Sequence, residues 1–301
     1  MRSSILRRTA SLLLICLALT ALSSCTGFSE TEYAIVSENN ISSEGFIYDK
    51  YENSTIKITG IENTPAVLVI PEAIDGMQVV EIGDSAFEGN DVLIYLELPK
   101  SNIKLGRGFC SGCLVLMGVN LSGAVTSIPD NAFESCANLS IIEGAENVTE
   151  IGSQSFAGCT SLAYFNMPKN LASIGAEAFR GCSSLASVVL PETIASIGES
   201  AFWGCESLVS VTVNSISSIP KYCFLYCTRL ASVTIGDGVK KIEDEAFRSC
   251  YSLYSVTFGK NVTEIGSYAF HACDQLTEVN FTNKKNEVTV GEGNDSLGLS
   301  K

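Results

Sequence analysis

The residues best suited to chemistry in this chain are cysteines, which recur every 22 or 23 residues through its C-terminal two thirds. A metal centre or a catalytic thiol needs unlike partners that converge, such as histidine beside cysteine, and the chain has one histidine. A single cysteine per interval therefore predicts no metal site and favours a structural ladder. The ladder comprises Cys113, Cys136, Cys159, Cys182, Cys205, Cys227, Cys250 and Cys273.

Disulfides between neighbouring ladder cysteines are the main alternative, because adjacent strands lie within the Cα separation that a disulfide spans. Side chains that stack in one direction do not readily supply the near-perpendicular dihedral angle of that bond. We therefore expect a column of small, buried, free thiols. Cys110 and Cys113 form the sequence CSGC, for which a local disulfide formed after export and a functional thiol pair both stay open.

Other catalytic patterns are absent from the sequence. It contains no G-x-S-x-G, H-E-x-x-H, calcium-loop or phosphate-loop motif. His271 occupies a variable position after a repeated phenylalanine, which predicts an exposed turn. We therefore expect a protein that is not an enzyme and that uses no cofactor. The excess of 33 acidic over 19 basic residues also argues against nucleic acid as a partner.

The cysteines are positioned by one repeated unit of 22 to 24 residues. An aliphatic residue lies five positions before each phenylalanine, and leucine lies six positions after it. The second unit departs from this spacing at Leu105 and Leu116, which we interpret as a deletion before Phe109 and a compensating insertion after it. The repeated phenylalanines are Phe87, Phe109, Phe133, Phe156, Phe179, Phe202, Phe224, Phe247 and Phe270.

The segment after each phenylalanine has the form L-x-x-V-x-L, in which apolar and polar residues alternate as in a strand with one buried face. It often ends at proline or glycine, for example Pro99 or Gly236. The pattern predicts one short strand per coil, counting VLVI before Pro71, stacked in parallel at about 4.8 Å.

The phrase V-x-x-I-G-x-x-A-F-x-G-C-x-x-L-x-x-V-x-L-P resembles the BspA-type leucine-rich repeat of bacterial and protist surface proteins. This resemblance implies an α/β leucine-rich-repeat solenoid, a curved right-handed rod of parallel β-sheet with short strands and irregular or short helical outer turns. It also implies extracellular binding and adhesion, without fixing a ligand.

The N-terminal residues predict export and attachment to a membrane. Three arginines precede a short apolar run, as in a secretory signal sequence, over residues 1–24. The run ends in Leu22, Ser23, Ser24 and Cys25, which resembles the lipobox of bacterial lipoproteins and makes Cys25 the expected lipidation site on the bacterial cell envelope.

The remaining boundaries follow from composition and periodicity. Residues 25–45 are polar and predict a flexible tether. Residues 46–78 predict an N-terminal capping hairpin and an opening coil, and residues 79–283 about nine repeats. Residues 284–301 predict a degenerate last coil, with Val288 in register with Ile265, and a frayed tail.

The outward positions of the strands form the candidate binding face. Toward the N-terminus they hold Tyr95, Glu97, Met117, Ile141, Glu143 and Tyr164, which favour a host or matrix protein as partner. Toward the C-terminus they hold Ser210, Thr212, Ser232, Thr234, Ser255 and Thr257, which suit a glycan or an envelope lattice. The sequence is compatible with both interpretations.

Overall fold

The computed structural model describes residues 33–282 and 288–298. The predicted signal sequence, the predicted lipidation site Cys25 and residues 26–32 lie outside the described residues, as do residues 283–287 and 299–301. From Ala34 onward the chain forms one compact unit.

An antiparallel cap opens this unit. Phe46 and Tyr48 alternate inward on the second strand and Ile56 and Ile58 on the third, so the predicted hairpin is confirmed. The predicted tether is wrong over residues 35–41, because these residues pair with the second strand instead of remaining unpaired. The first six strands are β1 (Ile35–Ile41), β2 (Phe46–Tyr51), β3 (Ile56–Ile61), β4 (Val67–Val69), β5 (Ala73–Ile74) and β6 (Met77–Ile82).

Parallel strands of two kinds follow the cap. The front strands come from the L-x-x-V-x-L segments, and they are β7 (Tyr95–Glu97), β9 (Gly118–Asn120), β11 (Ile141–Glu143), β15 (Ser210–Val213), β17 (Ser232–Ile235), β19 (Ser255–Phe258) and β21 (Glu278–Phe281). The side strands end in the aliphatic residue before each outer turn, and they are β8 (Lys104–Leu105), β10 (Ser127–Ile128), β12 (Glu150–Ile151), β13 (Ser173–Ile174), β14 (Ser196–Ile197), β16 (Ser218–Ile219), β18 (Lys241–Ile242), β20 (Glu264–Ile265) and β22 (Thr289–Val290).

The front strands form two four-stranded sheets, β4-β7-β9-β11 and β15-β17-β19-β21. A single bridge between Tyr164 and Ser187 occupies the two coils between them. The predicted parallel solenoid is confirmed, but the prediction of one strand per coil was wrong. Each side strand within the repeats is only two residues long, too short for alternation to reveal it.

The core consists of inward columns that run along the solenoid. The repeated phenylalanine rings from Phe133 to Phe270 stack on their neighbours with centroids 5.1 to 5.5 Å apart. Phe179 and Phe202 are fully buried and their rings are parallel within 2°. Burial of one large aromatic per coil accounts for much of the stability of each turn.

The second repeat contains neither the deletion nor the insertion predicted from its letters. Leu105 pairs with Ile82 in the normal register. Elsewhere the N–H of a repeated phenylalanine donates to the carbonyl of the residue, usually alanine, that precedes the next phenylalanine, and here Phe87 donates to the carbonyl of Phe109 at 2.7 Å. Cys110 in turn donates to Ala132, as a phenylalanine would. Phe109 therefore occupies the alanine column and Cys110 the phenylalanine column.

The outer segments are irregular turns rather than helices. Near the end of the described residues, Asp295–Leu297 form a short 3-10 helix. Each outer turn has a left-handed residue just before its alanine position, with φ between 54° and 59°. This column also confirms the register of the second repeat, because Gly108 belongs to it. Its members are Ser85, Gly108, Asn131, Gln154, Glu177, Ser200, Tyr222, Glu245 and Tyr268.

The C-terminal end is closed by one asparagine. Val290, and not Val288 as predicted, pairs with Ile265. The Asn294 side chain is buried, accepts the Phe270 N–H at 2.9 Å and donates to the Gly266 carbonyl at 2.9 Å. Leu297 packs into the core at 2% exposure. Residues 288–298 therefore contain the predicted last coil, which pairs through β22, and a cap in the part where a frayed tail was predicted.

Candidate binding face

The front strands present two outward columns at the start of the sheet. Register pairs Val67 with Tyr95, Tyr95 with Gly118 and Gly118 with Ile141. The second column places Val69, Glu97, Asn120 and Glu143 side by side in the same way. Successive members lie one strand spacing apart, about 4.8 Å. We call these positions, together with Met117 and Tyr164, the N-terminal face.

Several large apolar side chains of the N-terminal face are exposed to solvent. The exposed fraction is 69% for Tyr164, 53% for Met117 and 49% for Ile141. The structure thus exposes three of the predicted residues, one on each of three successive coils. Val67 and Val69 belong to the same face and sequence reasoning missed them, because they precede the first repeated phenylalanine; the VLVI pattern was the available signal.

Tyr95 lies across the neighbouring strand. A Cβ on Gly118 would be 2.8 Å from the Tyr95 ring, so the missing side chain provides the space that the ring fills. The Tyr95 hydroxyl donates to the Glu143 carboxylate at 3.3 Å, two coils away. Burial and the carboxylate of Glu143 raise the pKa of Tyr95 to about 12, which keeps its proton in place at neutral pH.

The acidic side chains of the N-terminal face lack cationic neighbours. Among the described residues, no ion pair includes Glu97 or Glu143. Elsewhere in the described solenoid, carboxylates such as Glu177 and Glu264 are paired with Arg180 and Lys241. The face therefore combines exposed apolar groups with uncompensated negative charge.

The C-terminal sheet presents hydroxyls in place of these groups, and we call its outward residues the C-terminal face. Ser210, Ser232 and Ser255 pair in register, and so do Thr212, Thr234 and Thr257. At the carboxyl ends of these strands lies an open groove of about 620 Å³ that Thr234, Thr257 and Asp237 help to line.

The cysteine ladder does not contribute to either face. All eight ladder cysteines are free and buried, and so are Cys110 and Cys223. Each ladder thiol donates to the carbonyl of the phenylalanine-column residue one coil earlier, at 3.0 to 3.3 Å, as Cys182 does to Phe156. The ladder thus satisfies buried backbone acceptors, a role that composition alone did not reveal. Burial raises the pKa of the Cys250 thiol well above its ordinary value.

The described residues offer few groups for catalysis or metal binding. Within them, no group of three or more histidine, cysteine or acidic side chains is arranged to hold a metal ion. His271 is exposed, as predicted, and its ring meets Tyr268 edge to face. None of the described segments is a helix with the length and apolar character needed to cross a bilayer.

Comparison with known proteins places the chain in a family. The sequence profile of the BspA type leucine rich repeat region matches residues 73–186 and 172–291, with six copies of the repeat. These ranges cover most of the chain, which therefore belongs to the BspA-type leucine-rich repeat family, as the resemblance implied. No curated protein sequence matches the chain.

Three solved structures are similar to it. A leucine-rich repeat protein from Bacteroides ovatus is 24% identical with a TM-score of 0.63, over 84% of this chain and 67% of that one. A T. pallidum leucine-rich repeat protein is 26% identical with a TM-score of 0.45, over 78% and 89% of the two chains. A leucine rich cell surface protein from Faecalibacterium prausnitzii is 21% identical with a TM-score of 0.42, over 82% and 95%.

The family and the first of these structures agree on the solenoid fold. The family comprises bacterial surface proteins of adhesin-like character. Solenoids of this family are in general binding scaffolds that mediate protein interactions, rather than enzymes.

Proposed function

We propose that the chain is a cell-surface binding module, an adhesin or interaction scaffold, whose N-terminal face engages a host or matrix protein. The observation that carries this proposal is the exposure of Met117, Ile141 and Tyr164 on three successive coils, each about half exposed or more. Large apolar side chains on a rigid scaffold, flanked by polar and charged groups, are typical of protein-binding patches.

In this proposal Tyr164 is a projecting anchor, whereas Tyr95 has a different role. Its hydroxyl is engaged by Glu143 and its ring fills the space above Gly118, so it presents a fixed flat surface instead of a projecting anchor. A side chain held in place before binding loses little conformational entropy when a partner packs on it.

The test is binding of purified protein to a panel of extracellular-matrix proteins. We expect the double variant Ile141→Ser/Tyr164→Ser to bind its best partner at least tenfold more weakly, since truncation of central anchors costs about 2 kcal/mol or more. The matched control is Ser232→Ala/Thr234→Ser on the C-terminal face, which should bind normally. Equal affinity of wild type and the Ile141/Tyr164 variant, with both folded by circular dichroism, would remove this face as the site.

Attachment to the bacterial membrane through lipid on Cys25 belongs to the same proposal. Nine residues, 26–34, lie between Cys25 and the start of β1 at Ile35. They can span at most about 35 Å, so a lipid on Cys25 would hold the cap close to the bilayer. We expect Cys25→Ser to move the protein from the membrane fraction to the soluble fraction, whereas Cys16→Ser should not. Membrane association that survives Cys25→Ser would contradict lipid anchoring.

A glycan or an envelope lattice is the second candidate partner, and the in-register hydroxyl columns of the C-terminal face favour it. Regularly spaced hydroxyls beside an open groove suit repeated hydrogen bonds to a polymer with a constant repeat. A glycan array would give reproducible hits, and the triple variant Thr212→Val/Thr234→Val/Thr257→Val would lose them. Hits that persist in this variant would exclude the C-terminal face.

A further inference from the structure

The two outward columns of the front strands contain no basic residue in any coil. They comprise twenty positions, and the chain has 19 lysines and arginines to distribute. The charged members are three glutamates: Glu97, Glu143 and Glu278. The columns are Val67, Tyr95, Gly118, Ile141, Tyr164, Ser187, Ser210, Ser232, Ser255 and Glu278, and Val69, Glu97, Asn120, Glu143, Asn166, Val189, Thr212, Thr234, Thr257 and Asn280.

Basic residues occur on other surfaces of the same coils, and several of them are paired with carboxylates. Lys104 and Lys241 lie on side strands and contact Glu81 and Glu264. On the outer turns, Arg180 contacts Glu177 at 2.8 Å and lies 4.2 Å from the centre of the Trp203 ring. The lack of cations is therefore specific to the front columns and does not reflect the composition of the whole surface.

The N-terminal face has two acidic positions, and the carboxylate of one of them is held in place. Glu143 is held by the Tyr95 hydroxyl, which stays protonated and so adds no charge of its own. Glu97 lies on β7, two strands from Glu143 on β11, and the strand spacing puts the two positions about 10 Å apart. The exposed ring of Tyr164 lies in the next coil.

We propose that the N-terminal face recognises a cationic protein segment, with two lysine or arginine side chains about 10 Å apart that meet Glu97 and Glu143. This inference rests on the proposed function, because it names the partner class for the same face. A segment in the polyproline II conformation with basic residues three apart has about that separation on one side, since this helix has three residues per turn and advances about 3.1 Å per residue. An arginine of such a segment can also stack on the face of the Tyr164 ring.

The experiment is a selection of random 12-residue peptides displayed on phage against four immobilised full-length chains. The chains are wild type, Glu97→Gln/Glu143→Gln, the matched control Glu88→Gln/Glu206→Gln, and Tyr164→Ser. Glu88 and Glu206 are exposed outside the front columns and take part in no ion pair among the described residues. Both double variants remove two negative charges. The non-specific electrostatic attraction of basic peptides to the acidic chain therefore decreases by the same amount in both.

We expect wild type and the Glu88/Glu206 control to enrich peptides with excess lysine and arginine, and the Glu97/Glu143 variant to lose that excess. A synthetic peptide from the selection should bind the Glu97/Glu143 variant roughly fivefold more weakly than wild type at low salt. The difference should vanish in 1 M salt, where the screening length is about 3 Å.

Other outcomes separate this inference from the proposed function. Peptides that depend on Tyr164 but carry no excess of basic residues would overturn the cationic class and leave the proposed function standing. Equal loss of basic residues in both double variants would attribute the excess to net charge and overturn the inference. A selection unchanged by Tyr164→Ser and by Glu97→Gln/Glu143→Gln would contradict both, and so would failure to enrich any peptide on wild type.

Discussion

In the N-terminal half of the solenoid, β7 buries Leu96 and presents Tyr95 and Glu97, whereas β17 in the C-terminal half buries Val233 and presents Ser232 and Thr234. The inward residues of the two halves are equivalent and the outward residues are chemically unlike. Close packing restricts an inward position to a narrow range of volume, and solvent imposes no such restriction on an outward one. The two faces can therefore serve different partners on one core.

The largest expected effect tests whether the two halves share one kind of core. We expect Phe133→Ala and Phe224→Ala each to lower the free energy of unfolding by about 3 to 5 kcal/mol, because each leaves a cavity in a fully buried ring column. Urea unfolding followed by circular dichroism measures the loss. A cost below about 1 kcal/mol in one half alone would show that the cores differ.

The C-terminal cap provides a test in which only one half should respond. In Asn294→Ala the Phe270 N–H loses its acceptor and the Gly266 carbonyl loses a donor, which should cost about 1 to 3 kcal/mol. Because each coil contacts mainly its neighbours, the loss should stay local. We expect faster amide hydrogen exchange in β19–β22 and unchanged exchange in β7–β11. Uniform acceleration along the chain would show that the solenoid opens as a single unit.

The cysteine ladder runs through both halves. Its role can be tested by asking whether serine or alanine in place of a ladder cysteine lowers the free energy of unfolding more. If the thiol of Cys159 matters through its bond to Phe133, serine keeps a donor and Cys159→Ser should cost less than Cys159→Ala, by about 1 kcal/mol. If the thiol only fills space, serine adds a poorly paired hydroxyl and should cost more. Cys250, which donates to Phe224, offers the same comparison in the C-terminal half.

The inward columns were predictable from sequence because burial repeats the same residue type every coil. The phenylalanine, cysteine and leucine columns could all be predicted from the sequence. The capping hairpin and the exposure of His271 could be predicted as well. The second repeat shows where the alignment of repeats by residue type alone fails. Phe109 was aligned with the other phenylalanines, yet the backbone places Cys110 in their column. Residue type identifies a column only where a single residue type can occupy that column. In the second repeat, the aromatic residue Phe109 occupies a position that is usually alanine.

The features that could not be predicted from the sequence depend on contacts between coils. The side strands are too short to show a period, and residues such as Glu177 or Tyr268 give no hint that their φ is positive. Asn294 acts as a cap because its amide groups replace the backbone of a missing coil. On the N-terminal face, sequence named Tyr95 and Glu143, but their contact across Gly118 needs the register of three strands.

That contact gives the smallest predicted effect, and it belongs to the N-terminal face alone. Burial is the larger cause of the raised pKa of Tyr95 and Glu143 the second, so Glu143→Gln should lower this pKa from about 12 while leaving it above 10. Gly118→Ala should lower it further, because the new Cβ displaces the ring from its position. Tyrosine ring NMR signals followed against pH measure both shifts. An unchanged pKa in Gly118→Ala would mean that the ring does not lie over residue 118.

The same shift fixes the sign of a pH effect on stability. The pKa of Tyr95 is higher in the folded state than the value of about 10 in an unfolded chain, so its contribution to stability is complete below pH 10 and disappears as the pH rises to about 12. We expect the wild-type protein to lose more stability than Tyr95→Phe across this interval, by urea unfolding at each pH. Because the C-terminal face contains no tyrosine in its two outward columns, Thr234→Val should leave the pH profile as it is in wild type.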